Sequence, residues 1–92
     1  MKHTIDGKRY DSERMEKLAE RDHYSNGNYA GTTELLRAKD GTYHLMTIAN
    51  GQDCYVQSGI RECIFVLEFL NVADITDDQE KRLVELGLIK LV

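Results

Sequence analysis

The dipeptide Asp40-Gly41 stands between two stretches, residues 32–38 and 42–49, whose Thr, Leu, Tyr and Ile content suits a pleated, half-buried surface. A tight turn in which both central residues take positive φ is a favoured way to join two strands, and Asp-Gly tolerates it well. An antiparallel hairpin is therefore expected in the middle of the chain. With no Pro and seven Gly, glycine must mark most of the other turns.

At 92 residues the chain is read as a single domain, 1–92, with one modest core. Its apolar fraction of 41 % and charged fraction of 30 % are those of a folded soluble protein rather than a disordered one. The longest apolar run, residues 63–67, is far short of the ~20 residues a membrane span requires, and no long apolar segment opens the chain as a signal peptide would. The expected location is the cytoplasm, without membrane contact. In that reducing setting Cys54 and Cys63 are expected to be free thiols. The net charge of −4 is uneven: residues 1–48 carry eight acidic and eight basic side chains, and residues 49–92 eight acidic and four basic. With that acidic balance direct binding to nucleic acid is disfavoured, because holding a phosphate backbone depends on clustered Lys and Arg.

Residues 2–5 read as a first strand closed by an Asp6-Gly7 turn, after which Tyr10 returns an aromatic ring to the fold. Asp11 or Ser12 can cap a following helix over about 13–23, where Met15, Leu18 and Ala19 fall at helical spacing and Glu13 and Lys17 form an i,i+4 pair. Ser25-Asn26-Gly27-Asn28 would end that helix. Asn50-Gly51 marks another turn, with a short strand or irregular loop over 53–57. Residues 62–72 are open to two readings, of which a central strand is favoured over a buried helix because Cys63, Phe65, Leu67 and Phe69 would line one face. Thr76 and Gln79 form a capping box for a last helix whose stripe is Leu83, Val84 and Leu86, with Gly87 ending it in a Schellman turn. Residues 88–92 follow as a strand or tail. The fold class expected is α+β: a small antiparallel sheet, built from the hairpin at Asp40-Gly41 and a central strand, packed with an N-terminal and a C-terminal helix.

No residue pattern names a reaction. His3, His23 and His44 show no metal-ligand spacing with one another or with the cysteines, so neither a metal nor another cofactor is assigned. Asp22, His23 and Ser25 are the types a nucleophilic site uses, but sequence neighbours rarely meet its geometry, and no catalytic residue is assigned. Cys63 reads as a small core residue, and Asp53 beside Cys54 would not activate its thiol. Two surfaces are candidates for partner binding. Asp74, Asp77, Asp78 and Glu80, with Glu85 further along the helix, form an acidic face suited to a basic partner. Tyr24 and Tyr29 flank a loop and offer large contact area at low entropic cost.

The opening Thr4-Ile5-Asp6-Gly7-Lys8-Arg9-Tyr10-Asp11, the hairpin from Glu34 to Leu45 and the helix start Ile75-Thr76-Asp77-Asp78 together resemble short proteins of phages and mobile elements, some of them thought to be anti-CRISPR proteins. The chain departs from that pattern where many such proteins carry Gly-Gly after the hairpin and Pro before the last helix; here stand Asn50-Gly51-Gln52 and Ala73-Asp74-Ile75. The resemblance implies a non-enzymatic inhibitor, a monomer or homodimer in the host cytoplasm. It would bind a protein partner such as a CRISPR effector subunit or complex at a nucleic-acid-binding surface. The alternative is a small regulatory or interaction module of a mobile element with a different host partner. The resemblance carries over no catalytic residue.

Overall fold

Seven of the nine Cα pairings between the two longest strands, Glu16–Ser25 and Asn28–Arg37, run where a helix was expected, so the molecule is built mainly from sheet. The structure, a computed structural model, describes residues 1–51 and 55–92. Strands β1 (Lys2–Ile5) and β2 (Lys8–Asp11) form an antiparallel ribbon across the Asp6-Gly7 turn. A 3₁₀ turn, Ser12–Arg14, follows, its start capped by the Asp11 carboxylate accepting from the Glu13 amide. Then β3 (Glu16–Ser25), β4 (Asn28–Arg37), β5 (Tyr43–Ala49) and β6 (Gly59–Glu62) make an antiparallel meander in the order β3-β4-β5-β6. Helices α1 (Val66–Leu70) and α2 (Asp77–Glu85) complete the chain.

The expected N-terminal helix over 13–23 is thus corrected to strand β3. A register shift between Lys17 and Ala19 places the adjacent residues Leu18 and Ala19 both in the core. That bulge, with Met15, reproduces helical spacing in a strand. The expected Glu13–Lys17 pair gives way to contacts of Lys17 with Glu20 at 3.2 Å and Glu34 at 3.1 Å. Asn26-Gly27 is a hairpin turn rather than a helix exit, with φ of 52° and 79° at its two central residues. The second hairpin forms as expected but through a different turn. Asp40 keeps a negative φ and only Gly41 is positive, at 89°. Bonds from the Gly41 amide to the Ala38 carbonyl and from the Ala38 amide to the Thr42 carbonyl fit a longer loop with a glycine bulge. Of the expected element over 53–57, residues 53 and 54 lie outside the described residues, Cys54 among them, and 55–57 belong to no strand.

Residues 62–72 are also corrected: β6 ends at Glu62, and the apolar run enters helix α1 rather than a central strand. Cys63, Val66 and Leu70 are buried, at helical rather than alternating spacing. The reason is topological. The chain leaves the β6 edge and crosses the sheet to reach the β3 edge, where Asp74 exchanges backbone hydrogen bonds with Glu20. A short helix buries one stripe on the way without needing a strand partner.

Both helices cover the sheet face that carries Ala19, Leu35 and Leu45, and Leu83 of α2 joins these residues with Leu18, Cys63, Val66 and Leu70 in one core cluster. The capping box at α2 is formed, with the Thr76 hydroxyl accepting from the Gln79 amide and the Gln79 side chain from the Thr76 amide. Its far end is a Schellman turn: the Leu88 amide reaches the Leu83 carbonyl and the Gly87 amide that of Val84. Arg82 further ties α2 to β3 through Glu16 at 2.9 Å. Residues 88–92 form a tail rather than a strand. On the opposite face Leu36 and His44 are paired in register and buried, with the β1–β2 ribbon against His44.

Candidate functional site

Side chains alternate along β5, so Tyr43 and His44 point to opposite faces of the sheet. Each lies beside a different candidate surface. On the ribbon side, His44 is fully buried and meets His3 of β1 and Tyr10 of β2, ring centroids 4.9 and 4.5 Å away. The Thr42 hydroxyl donates to Asp40 at 2.7 Å, so its contact of 2.8 Å with His44 Nε2 requires that nitrogen to be the donor. A neutral His44 then accepts at Nδ1 from His3 Nε2, 3.0 Å away. The donors run in one direction, from His3 through His44 and Thr42 to Asp40. Asp40 also accepts from the Tyr10 hydroxyl at 2.6 Å and the Thr42 amide at 3.0 Å, with Lys8 3.6 Å away.

This network sets the local acid–base chemistry. Hydrogen bonds from Tyr10 and Thr42 hold the Asp40 carboxyl well below the usual carboxylate range, and the same bond pushes the Tyr10 phenol up. Burial, aided by His3, pulls the His44 imidazole down. The network offers no obvious nucleophile, because the Thr42 hydroxyl already donates to Asp40. Its parts lie as far apart in sequence as residues 3 and 44, and nothing in the spacing of the histidines announces the contact. Beside it, the ribbon, the 3₁₀ turn and the β4–β5 turn enclose a cleft of about 500 Å³.

On the helix side, Tyr43 lies in a shallow depression of about 430 Å³ with Cys63, Leu88 and the segment 64–68. Ile64, Phe65 and Leu67 are 76 %, 64 % and 57 % exposed, although the strand reading set Phe65 and Leu67 on one apolar face with Cys63 and Phe69. Val66 alone of that run is buried; Ile64 and Phe65 lie in the segment leading into α1, and Leu67 is in its first turn. Cys63 forms the floor, and burial pushes its thiol up, as expected of an unreactive core cysteine.

The acidic residues proposed for partner binding are exposed. Asp77, Asp78 and Glu80 occupy the first turn of α2, where the helix dipole favours negative charge, and Asp74 sits just before them in its bridge to Glu20. Tyr24 and Tyr29 are 62 % and 46 % exposed at the β3–β4 turn, in edge-to-face contact with centroids 6.2 Å apart. The Tyr29 hydroxyl bonds to Thr32, which donates to Asp22 at 2.7 Å. The fold does not merge the two surfaces: Tyr24 lies four residues along β3 from the Asp74 bridge, about 13 Å for an extended chain. Asp22 and His23 project to opposite faces of β3, and His23 contacts the Thr33 hydroxyl at 2.7 Å, so no triad forms with Ser25.

Compared with known proteins, the chain matches no family model, no curated protein and no solved structure. Among the described residues no three His, Cys, Asp or Glu side chains are grouped to hold a metal ion, and no helix is long and apolar enough to cross a membrane.

Proposed function

We propose that this chain is a non-enzymatic protein-binding module, and that it acts as a stoichiometric inhibitor of a bacterial defence complex in the anti-CRISPR manner. The observation that carries the binding reading is the ridge of Ile64, Phe65 and Leu67, three large apolar side chains exposed where the chain enters α1. Contiguous apolar exposure of this kind, rimmed by polar residues, is typical of protein contact surfaces. Glu68 lines the same depression and Glu62 precedes it, so the fitting partner has an apolar patch bordered by cations. Basic nucleic-acid-binding channels have such borders. The defence complex as target, with Asp74, Asp77, Asp78 and Glu80 supplying charge and Tyr24 or Tyr29 an anchor, is supported by the resemblance of the opening and hairpin motifs.

The test uses purified CRISPR effector complexes and the tagged full-length chain. Capture that target DNA competes away, and that weakens sharply in Phe65→Ser and in the pair Asp77→Lys and Asp78→Lys, is the expected result. Asn at positions 77 and 78 serves as the control that removes the charge without reversing it and leaves the Thr76–Gln79 capping box in place. Failure of the unaltered chain to bind any effector complex would overturn the defence reading. The same ridge also favours a second reading, an interaction module that works as a homodimer with another host partner. Light scattering that finds a dimer at low micromolar concentration, dissolved by Phe65→Ser, would support it.

A further inference from the structure

The cleft beside Asp40 is basic although the chain as a whole is acidic. Lys2 of β1, Lys8 and Arg9 of β2, Arg14 of the 3₁₀ turn and Lys39 of the β4–β5 turn all line it, five of the twelve cations in the chain. Only two carboxylates share the lining, and both are engaged. Asp40 takes bonds from Tyr10 and Thr42 and faces Lys8, while Asp11 caps the 3₁₀ turn. Among the described residues, Lys2, Arg14 and Lys39 enter no ion pair, and Arg9 donates to the neutral Thr4 hydroxyl at 3.0 Å.

Five like charges thus border one cleft, and a bound anion would find several of them within reach. The walls are held in place. Tyr10 is pinned by Asp40, and the ribbon is fixed to the sheet by the hydrogen bond and edge-to-face contact between His3 and His44. Tyr10, Met15 and Ala38 add an apolar floor. A volume of about 500 Å³ falls within the range of small-molecule sites and suits a ligand of nucleotide size. Arg9 and Arg14 offer planar forks for paired oxygen acceptors, and the lysines supply point charges.

From this geometry we infer that the cleft binds a small molecule bearing adjacent phosphate groups. The site faces away from the α1 ridge and stands independently of it. Neighbouring phosphates match several converging cations better than one carboxylate does, and an uncharged ligand would leave those cations unpaired.

Calorimetric titration of the full-length chain with sodium tripolyphosphate tests this directly, with ATP and adenosine as parallel arms. Saturable one-to-one binding of tripolyphosphate is expected, weakening as salt is raised. Tighter binding of ATP would assign the ligand to nucleotides, and equal or weaker binding would assign it to inorganic polyphosphate. The double change Arg14→Ala and Lys39→Ala, both at exposed positions, should weaken binding at least roughly tenfold with an unchanged Tm. Lys81→Ala with Lys90→Ala removes equal charge elsewhere and should leave affinity within about twofold. No saturable tripolyphosphate binding at about 1 mM, equal losses in the two double variants, or adenosine binding as well as ATP would each overturn the assignment.

Discussion

Gly31 sits inside β4 with φ of 151°, paired in register with Ala49 of β5. A Cβ added there would stand 2.6 Å from the Ile48 carbonyl oxygen, 3.1 Å from the Ala49 Cα and 3.1 Å from a Val56 methyl. Two of those three atoms are backbone of the adjoining strand, which cannot yield without stretching the β4–β5 ladder. Overpacking of this kind costs ~1–3 kcal/mol. A backbone conformation that side-chain-bearing residues avoid adds ~1–3 kcal/mol. Gly31→Ala should therefore destabilise the protein by about 2–6 kcal/mol, a substantial part of the roughly 5–14 kcal/mol typical of a chain this long. At ~4–8 °C per kcal/mol for a small domain, Tm should fall by about 8 °C or more. Gly59→Ala is the control: nothing lies within 4 Å of its added Cβ, and it has no positive φ. Urea titration followed by circular dichroism should find Gly59→Ala within ~0.5 kcal/mol of the unaltered chain. If Gly31→Ala proves as stable as Gly59→Ala, the close approach of β4 and β5 does not constrain the fold as described.

Three further outcomes follow from the core and the histidine network. Burial and His3 hold His44 below its ordinary value, so the unfolded chain takes up the proton first; its contribution is complete above the unfolded value of about 6.5 and is lost as pH falls through the lower folded value. Tm should accordingly drop more steeply below about pH 6.5 in the unaltered protein than in His44→Gln, and equal slopes would refute the linkage. Leu83→Ala empties a fully buried position and should cost ~2–5 kcal/mol, with amide exchange in α2 speeding up ahead of that in β4 and β5. Cys63, buried and with its thiol pushed up, should react with an aromatic disulfide reagent only as fast as the protein opens; prompt reaction in native buffer would contradict its place in the core.

Local chemistry was legible in the residues wherever a few neighbours decide the outcome. The first strand and its Asp6-Gly7 turn, the second hairpin, the Thr76–Gln79 capping box and the Schellman turn at Gly87 all require only short-range hydrogen bonds and backbone preferences. The turn at Asp40-Gly41 shows the limit of such reading: its place was evident, but its length followed from how Ala38 and Thr42 pair.

Residues 16–25 and 66–70 depended on partners elsewhere in the chain. Leu18 and Ala19 have helical spacing with Met15, yet nine cross-strand pairings to β4 outweigh the weak preference of an isolated segment, and a bulge turns both inward. The apolar alternation over 63–69 suits a strand, but crossing the sheet toward the Asp74 bridge leaves no neighbouring strand to pair with, and a helix satisfies its backbone internally. The candidate surfaces follow from those same decisions: the ridge is outward where the chain leaves β6 and enters α1 instead of continuing as a strand. The basic cleft exists because Lys2, Lys8, Arg9, Arg14 and Lys39, scattered through the first forty residues, converge when the ribbon folds against His44. The sequence alone thus determined turns, caps and the approximate α+β character, because their energetics are local. Tertiary structure alone decided which segments became sheet, which apolar residues stayed in water and where charge accumulates, because those outcomes depend on pairing and burial between residues far apart in the chain.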